Sequence, residues 1–445
     1  MPALRRKGYG DSMKYKASEV LQFVAENDVK FIRLAFCDIF GTQKNISILP
    51  EKLEDAFASG IPFDGSAIRG FQSLTHSDLF LFPDPSTLSV LPWRPAQGRV
   101  ARLYCDIRYP DGSVFEGDCR HILRGAVERA ERMGYTCQVG TECEFYLFKQ
   151  NENGEPTKTP HDIGGYMDVA PADKGENIRR EICLTLEEMG IAPETSHHEQ
   201  GPGQNEIDFR FSGALEAADN LITFKTVVKT AAAGNGLYAS FMPKPLASHS
   251  GNGLHINLSL LCGGRNIFDK DAEYTAEADS FTAGILARIC EITAFLNPLT
   301  NSYLRLGGNK APQYVTWSHQ NRFQLIRIPA ASGDQQRIEL RSPDPACNPY
   351  LSLALIMHAG LDGIEQKMPL QPETDRNLCE QDTSLAILPE RLDEALVLAQ
   401  DSAFVSAHVP ELLLKTYIAQ KQSEIARIAG TDRQKAEHAL YFHRI

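Results

Sequence analysis

Apolar and polar residues alternate along this chain with two different periods, one typical of strands and one of helices. Apolar residues recur at helical spacing from Ala17 to about Asn27, and the segment FIRLAFCDIFGTQKNISIL predicts two strands joined by a turn that contains Gly41. ARLYCDIRYPDGSVF predicts another hairpin, whose turn is Pro-Asp-Gly. Residues 1–113 are therefore predicted to form a small β-rich domain and residues 114–445 a larger one.

Helical periodicity is frequent in the larger domain. RHILRGAVERAERMG ends at Gly134 and ENIRREICLTLEEMG ends at Gly190. Each glycine stands where a helix commonly ends in the left-handed conformation. Further helices, with strands between them, are predicted at 215–234, 279–296, 349–366, 389–400 and 411–429.

Four segments of the larger domain alternate strictly between polar and apolar residues. Successive side chains of a strand point to opposite faces of a sheet, so each segment predicts one polar and one apolar face. The polar faces carry Glu142, Glu144 and Tyr146 in TECEFYLF, Glu206, Asp208 and Arg210 in NEIDFRF, His255, Asn257 and Ser259 in HINLSL, and Arg337, Glu339 and Arg341 in RIELR.

These polar faces admit two interpretations. A single strand of this kind is typical of a sheet whose charged face is solvated. Four such strands, rich in Glu, His and Arg and poor in Lys, Ser and Thr, favour instead a shared functional cavity. Carboxylates crowded there would have to protonate in part unless cations intervene, so convergence predicts bound cations. The candidate ligands are Glu142, Glu144, Glu199, Glu206, His255 and Glu339.

The candidate ligands also indicate the kind of cation and the kind of reaction. Five carboxylates and one imidazole favour Mg²⁺ or Mn²⁺ over zinc, which prefers thiolates or several histidines. Arg322 and Arg327, with the arginines of RIELR, add planar donors suited to phosphate and carboxylate. Metals beside arginines point to phosphoryl transfer, and the chain has no P-loop motif. For His197 and His198 an orienting role is favoured, because the neighbouring glutamates are better ligands for hard metals.

Composition and charge narrow the class of protein. With 445 residues, 42% apolar and 23% charged, the chain is typical of a globular protein of two domains. A net charge of -12 argues against a nucleic-acid or membrane partner, since either would need a basic patch. Ten scattered cysteines without a C-x-x-C pair, and no apolar run of signal-peptide or membrane-span length, predict a cytoplasmic protein.

Eight motifs of the chain resemble, in order and spacing, those of bacterial type I glutamine synthetase. The resemblance extends from about Lys14 to about Asn377. The motifs are FDGSAIRGF, TECEF, HHEQGPGQNEIDF, MPKP, GNGLHINLSL, NSYLRL, NRFQLIRIP and RIELRSPDPACNPYL.

The resemblance implies a fold, an assembly and a reaction. The implied fold class is α+β, with an N-terminal β-grasp domain at residues 1–113 and a larger α/β catalytic domain at 114–445, whose curved antiparallel sheet bears the metal site. The implied assembly is a homo-dodecamer of two stacked hexameric rings with active sites between adjacent subunits. In the implied reaction ATP phosphorylates the γ-carboxylate of L-glutamate, and ammonia then displaces phosphate from γ-glutamyl phosphate to form glutamine.

The resemblance also implies a role for each candidate residue. One Mg²⁺ or Mn²⁺ site falls on Glu144, Glu199 and Glu206, and a second, near the nucleotide phosphates, falls on Glu142, His255 and Glu339. The substrate residues divide by ligand: Arg305 and Arg341 for the glutamate carboxylates, Gly251 for its amino group, Ser259, Arg322, Arg327 and Arg337 for ATP, and Asp64 of a neighbouring subunit for ammonium. The implied catalytic residues are Asp64, Arg305, Arg322 and Arg341.

The segment RLGGNKAP departs from the family pattern. The family carries a glutamate immediately before Ala-Pro in a lid that closes over the substrate, and here that position is Lys310. A positive charge there opposes ammonium. Three functions therefore remain: a glutamine synthetase with an altered lid, a γ-glutamylamide synthetase that uses another amine, and a non-catalytic nucleotide-binding regulatory paralogue. The complete set of metal ligands favours the first.

Overall fold

The computed structural model describes residues 15–71, 77–269, 276–308, 310–376, 385–430 and 432–445. Within these ranges the chain forms two units, one built mainly from the sequence up to Asp118 and one mainly from Cys119 onward. No helix of the described part is both long enough and apolar enough to cross a membrane.

The first unit is a mixed sheet with two helices. The elements are α1 (Ala17–Glu26), β1 (Val29–Cys37), β2 (Gln43–Ile48), α2 (Leu53–Ser59), β3 (Ile61–Asp64), β4 (Asp78–Pro83), β5 (Ser89–Val90) and β6 (Arg99–Arg108). The strands follow the order β2-β1-β6-β4-β3, with β5 beside β6, and β1 runs antiparallel to β2 but parallel to β6. Helix α1 buries Val20 and Val24, which lie one turn apart on a single face.

The helix predicted from Ala17 and the two strands predicted on either side of Gly41 are confirmed. Of the hairpin predicted at ARLYCDIRYPDGSVF, the first strand is β6, but the second is reduced to an isolated bridge between Val114 and Arg108.

The second unit is organised around an eleven-stranded sheet. The strands are β7 (Tyr135–Gln150), β8 (Pro156–Pro160), β9 (Pro193–His198), β10 (Gln204–Phe209), β11 (Ser212–Gly213), β12 (Leu237–Ser240), β13 (Leu254–Cys262), β14 (Arg265–Asn266), β15 (Trp317–His319), β16 (Ile326–Ile328) and β17 (Ile338–Leu340). The main path through the sheet is β15-β16-β17-β13-β7-β10-β9, and every pairing in it is antiparallel except that of β15 with β16.

Helices of the second unit supply most of its apolar core. The helices are α3 (Cys119–Arg132), α4 (Glu176–Glu188), α5 (Ala214–Gly234), α6 (Ala276–Leu296), α7 (Pro349–Glu365), α8 (Leu392–Asp401), α9 (Ala403–His408), α10 (Glu411–Ile428) and α11 (Arg433–Glu437). Two of them, α6 and α7, are buried along most of their length. All helices predicted from periodicity in this unit are present, with ends within about three residues of the predicted ones, whereas the short helices α9 and α11 were not predicted.

The sheet register brings the four polar faces together. The segments TECEFYLF, NEIDFRF, HINLSL and RIELR lie on or beside β7, β10, β13 and β17, which are four successive neighbours in the order β17-β13-β7-β10. Directly paired residues project from the same face of a sheet, so their polar side chains meet. The cross-strand pairs are Glu144 with Glu206, Glu142 with His255, and Asn257 with Glu339.

Candidate active site

A polar cavity of about 680 Å³ opens over these four strands in the second unit. Most of the residues singled out from the sequence line it, and no cysteine is among its lining residues. The predicted residues in its wall are Glu142, Glu144, Glu199, Glu206, Gly251, His255, Arg305, Lys310, Arg322, Arg327, Arg337 and Arg341.

One candidate metal site is formed by Glu142, His255 and Glu339, each of which offers a ligand atom within 4.8 Å of the other two. The Nδ1 atom of His255 lies 3.0 Å from Glu142 and 3.5 Å from Glu339. Glu339 lies behind the cavity wall with 1% of its surface exposed. Burial alone would raise the pKa of Glu339, but Arg341, His255 and Arg327 hold it below its ordinary value. This carboxylate is therefore kept ionised by the chain itself.

In the second candidate metal site the three carboxylates differ: the pKa values of Glu144 and Glu206 are raised, whereas, against the effect of burial, His197 and the backbone N–H of Gln200 lower that of Glu199. Burial and the charge of Glu199 raise the pKa of Glu144 to about 8. Burial, Asp208 and Glu144 raise the pKa of Glu206 well above its ordinary value. Both shifts reflect the cost of burying a carboxylate and, in second place, repulsion between carboxylates, and a divalent cation would offset both. An oxygen-rich donor set of this kind fits Mg²⁺ or Mn²⁺.

The structure adds two residues to this neighbourhood that were not predicted as ligands. Glu206, His197 and Asp208 offer ligand atoms within 4.8 Å of one another. His197 Nε2 also lies 3.3 Å from Glu199 Oε1. The sequence alone places Asp208 on a polar face without assigning it as a ligand, and it favours an orienting role for His197.

Amide side chains hold the ligands in place. Gln204 is fully buried, and its Nε2 donates to Glu144 Oε2 at 2.7 Å. Asn257 donates to Glu142 Oε1 at 2.9 Å and accepts from Arg337 Nε at 2.8 Å. Asn257 therefore fixes a candidate metal ligand relative to a candidate phosphate ligand. Both amides belong to motifs visible in the sequence, but nothing in the alternation of polar residues distinguishes their contacts.

The five predicted arginines differ in exposure. Arg305 and Arg341 are buried, Arg327 and Arg337 are half-buried, and Arg322 is exposed. Arg305 donates to the carbonyl oxygens of Ser342 at 2.7 Å and of Arg341 at 3.0 Å, so its guanidinium is fixed by backbone. Burial lowers the pKa of Arg305 from its ordinary value. Such buried, immobile guanidinium groups suit an anionic ligand.

The stretch HHEQGPGQNE forms the end of β9, a turn and the start of β10. His198 is fully buried, and its ring nitrogens lie 2.9 Å from Asp162 Oδ1 and 2.6 Å from the carbonyl oxygen of Glu199. Asp162 also accepts the backbone N–H of Gly203 at 2.7 Å. His198 thus orients the backbone at Glu199, as the sequence predicted. Asp162 was not predicted, because it is 36 residues away from His198 in a loop without periodicity.

The rim of the cavity carries Lys310 and Tyr166. Lys310 is exposed and adopts φ 66°, a left-handed conformation uncommon for a residue with a side chain. The ring of Tyr166 packs edge-on against His197, with 5.5 Å between ring centroids. Tyr166 was missed because a tyrosine beside two glycines predicts only a loop.

Two predicted site residues lie elsewhere. Ser259 is buried on β13 opposite Gln138 and is not part of the cavity wall. Asp64 ends β3 in the first unit, where its exposed carboxylate accepts from the N–H and hydroxyl of Ser66 at 2.9 and 2.6 Å. These hydrogen bonds lower the pKa of Asp64. Its role in a neighbouring subunit's site stays a prediction.

Comparison with known proteins assigns both parts of the chain. Residues 28–110 match the family model of the glutamine synthetase β-grasp domain, and residues 116–441 match that of the glutamine synthetase catalytic domain. These matches confirm the predicted fold class.

Relatives and a solved structure cover most of the chain. It is 47% identical to glutamine synthetase of Methanosarcina mazei (91% of this chain, 93% of the relative) and 46% identical to that of Clostridium saccharobutylicum (92% and 95%). The solved structure of a GmaS/ADP complex superposes with a TM-score of 0.84 at 30% identity, covering 93% of this chain and 96% of that chain.

Proposed function

This chain belongs to the glutamine synthetase family, and we propose from that premise that it forms glutamine from L-glutamate, ammonia and ATP in the cavity over β7, β10, β13 and β17. The observation that supports this location is that the candidate metal ligands on β7, β10, β13 and β17 and Glu199, from the turn after β9, meet at one cavity that five arginines also line. An ATP-dependent ligase needs cations and arginines of this kind to bring two anionic substrates together.

The first half of the reaction is phosphoryl transfer. An oxygen of the γ-carboxylate of L-glutamate attacks the γ-phosphorus of ATP, the bond to the bridging oxygen breaks, and ADP leaves. Arg305 and Arg341 hold the glutamate carboxylates, while Arg322, Arg327 and Arg337 contact the phosphates. A bound Mg²⁺ or Mn²⁺ supplies charge neutralisation for the transferring phosphoryl group. Glu142, His255 and Glu339 would hold one such ion, and Glu144, Glu199 and Glu206 would hold the other.

In the second half of the reaction ammonia replaces phosphate. The nitrogen attacks the carbonyl carbon of γ-glutamyl phosphate, phosphate leaves, and the nitrogen loses a proton to give the amide. Gln204 keeps Glu144 oriented through the 2.7 Å hydrogen bond of its amide, and Gly251 presents backbone to the substrate amino group. We assign Asp64 of a neighbouring subunit to the ammonium ion, whose proton its carboxylate accepts to give the attacking ammonia, in a dodecamer of two stacked hexameric rings.

We place the enzyme in the cytoplasm, because its ten cysteines are scattered along the sequence without a C-x-x-C pair, a usage typical of a reducing compartment.

A second candidate function is the formation of a γ-glutamylamide from an amine other than ammonia. The observation that favours it is Lys310 in the cavity wall, where its charge opposes ammonium. The two functions share the phosphoryl-transfer step and differ only in the acceptor.

The test is phosphate release with each component omitted in turn. We expect turnover only when ATP, L-glutamate, a divalent cation and an amine are all present, and loss of turnover after chelation with recovery on adding Mg²⁺ or Mn²⁺. A panel of ammonium, methylamine, ethanolamine and polyamines separates the two candidates by their kcat/KM values. Absence of turnover with every amine, in an assembled and metal-loaded sample, would contradict both.

A matched pair of variants locates the reaction. Glu206→Gln removes one charge from the crowded carboxylates and should abolish turnover, whereas Glu152→Gln in an exposed loop should leave it unchanged. In the absence of metal, Glu206→Gln should be more stable than the parent, because a neutral amide avoids the cost of burying a carboxylate and the repulsion from Asp208 and Glu144. Retained turnover in Glu206→Gln would place the metal site elsewhere.

A further inference from the structure

The side chain of Glu437, on the short helix α11, is buried beneath the turn that leads to Arg305. Only 1% of the side chain is exposed. Its oxygens accept from Thr300 Oγ1 at 2.8 Å, Asn301 Nδ2 at 3.0 Å and Arg433 Nε at 2.9 Å. A buried carboxylate with three donors is held in one position, and it fixes the donors in return.

We propose that Glu437 is a positioning residue for the L-glutamate pocket, acting through Asn301 and Thr300 on Gly251 and Arg305. This inference rests on the proposed function, since it takes Gly251 and Arg305 to be the residues that hold the substrate.

Glu437 acts on Lys244 by fixing the orientation of the Asn301 amide. Its Oδ1 accepts the backbone N–H of Lys244 at 2.7 Å, and its Nδ2 donates to the carbonyl oxygen of Lys244 at 3.2 Å and to Glu437. The ionised carboxylate of Glu437 can only accept, so it selects the amide orientation in which Nδ2 faces it. That orientation is also the one that pairs both backbone groups of Lys244.

The backbone immediately before Lys244 packs against the segment that contains Gly251. The carbonyl oxygen of Pro243 accepts the backbone N–H of Asn252 at 2.7 Å, and that of Met242 accepts Asn252 Nδ2 at 2.9 Å. A Cβ atom on Gly251 would lie 2.4 Å from the Pro243 oxygen, so the two segments are in close contact. A shift of the backbone at Lys244 therefore moves the wall at Gly251.

The second path runs along the chain to Arg305. Thr300–Leu304 form one tight turn, and the backbone N–H of Arg305 donates to the carbonyl oxygen of Ser302 at 3.1 Å. Arg433 Nη2 donates to the carbonyl oxygen of Thr300 at 3.0 Å, so α11 holds this turn at both its side chain and its backbone. Gly251 and Arg305 also approach each other: a Cβ atom on Gly251 would be 3.1 Å from Arg305 Cγ.

The segment 432–445 has a separate anchor that does not involve Glu437. Tyr441 and Phe442 are buried in an apolar cluster with Tyr146, Phe148 and other residues, and the hydroxyl of Tyr238 donates to the carbonyl oxygen of Phe442. A change of charge at Glu437 is therefore expected to leave this segment in place and to act on the amide network.

Glu437→Gln tests the proposal by steady-state kinetics. The glutamine would direct an N–H toward the donors of Thr300, Asn301 or Arg433, and reversal of the Asn301 amide would break its pairing with Lys244. We expect the KM for L-glutamate to rise about tenfold, equivalent to about 1.4 kcal/mol of binding. The KM for ATP should stay within about twofold, and Glu437→Asp, which retains the acceptor, should restore part of the affinity for L-glutamate.

Tyr238→Phe is the matched control, because it removes one hydrogen bond from the same C-terminal segment without touching Asn301. It should leave both KM values unchanged. An unchanged KM for L-glutamate in Glu437→Gln, or an equal rise in both KM values, would overturn the proposal.

Should Glu437→Gln not fold, Asn301→Ser breaks the same path with Glu437 intact, and an unchanged KM for L-glutamate there overturns it equally. A parent enzyme without glutamate-dependent turnover would instead contradict the proposed function.

Discussion

His198 and Asp162 form an ion pair with no exposed surface: Nε2 lies 2.9 Å from Oδ1, and both side chains are 0% exposed. The other ring nitrogen of His198 faces the carbonyl oxygen of Glu199 at 2.6 Å. Both nitrogens face acceptors, so both must donate, and the ring is an imidazolium. The pair therefore fixes the backbone of Glu199 while the carboxylate of that residue faces the cavity.

Asp162→Ala is expected to lower the free energy of unfolding by about 3–5 kcal/mol, because it leaves a buried imidazolium without its counter-ion. The backbone N–H groups of Gly203 and Lys174 lose their acceptor as well. Urea denaturation of parent and variant, followed by circular dichroism in metal-free buffer, measures the difference. The control is Lys415→Ala, which removes an exposed ion pair with Glu411 on the surface of α10 and should change stability little. Equal effects of the two substitutions would show that the buried pair is not a stabilising element.

The cavity could be located from the sequence because the alternation of polar and apolar residues that predicts it is visible within single short segments. Alternation in TECEFYLF and its three counterparts assigns each side chain to a face, and antiparallel pairing of neighbouring strands then brings the polar faces together. The long helices were predictable for the same reason: periodicity is readable within a window of a few turns.

Contacts between distant loops were not predictable. Glu437 meets Asn301 across 136 residues, and Asp162 meets His198 across 36. Neither pair has a periodic pattern, because their partners are set by how loops and chain ends pack. The short helix α9 was missed since six residues give too little periodicity to read. The roles of the site residues came from family resemblance rather than from pattern.

Lys310→Glu is expected to lower the KM for ammonium about tenfold, corresponding to about 1.4 kcal/mol. The substitution replaces a charge that repels the cation with one that attracts it in a partly enclosed cavity. The measurement is initial rate against ammonium at saturating ATP and L-glutamate. Lys310→Gln, which only removes the charge, should give an intermediate value. If neither substitution changes the KM for ammonium, the side chain at 310 does not face the acceptor, and Lys310 does not alter the amine site.

The His358 ring is held neutral by its surroundings. Burial, the stacked ring of His408 at 3.8 Å between centroids, and Arg129 together lower the pKa of His358 to about 3. Arg129 Nη1 lies 3.1 Å from His358 Nδ1, and Nη2 of the same arginine pairs with Asp362 and Glu365. Since Arg129 can only donate, Nδ1 of His358 is the acceptor.

This arrangement predicts a loss of stability in acid. Between about pH 6.5, the ordinary pKa of histidine, and about pH 3, the unfolded chain binds a proton at His358 that the folded chain does not. The contribution of His358 is therefore complete above about pH 6.5 and declines by about 1.4 kcal/mol per pH unit as the pH falls through that window. His358→Asn keeps an acceptor for Arg129 but does not titrate. Unfolding free energies of both proteins between pH 7 and 4 should diverge, and parallel curves would contradict the prediction.

Two helical glycines should respond to alanine with opposite signs. Gly363 of α7 lies against α6, and a Cβ atom there would be 2.0 Å from the carbonyl oxygen of Ser280 and 2.8 Å from the Cα of Gly284. Because both obstacles are backbone, the helices must separate, and Gly363→Ala should cost about 1–3 kcal/mol.

Gly125 of α3 has no atom within 4 Å of the place where a Cβ atom would lie. Gly125→Ala should therefore stabilise the protein by about 0.5–1 kcal/mol, since alanine restricts the unfolded chain and favours the helix. Denaturation midpoints measured side by side give the two signs, and a destabilising Gly125→Ala would mean that α3 packs more closely than this spacing implies.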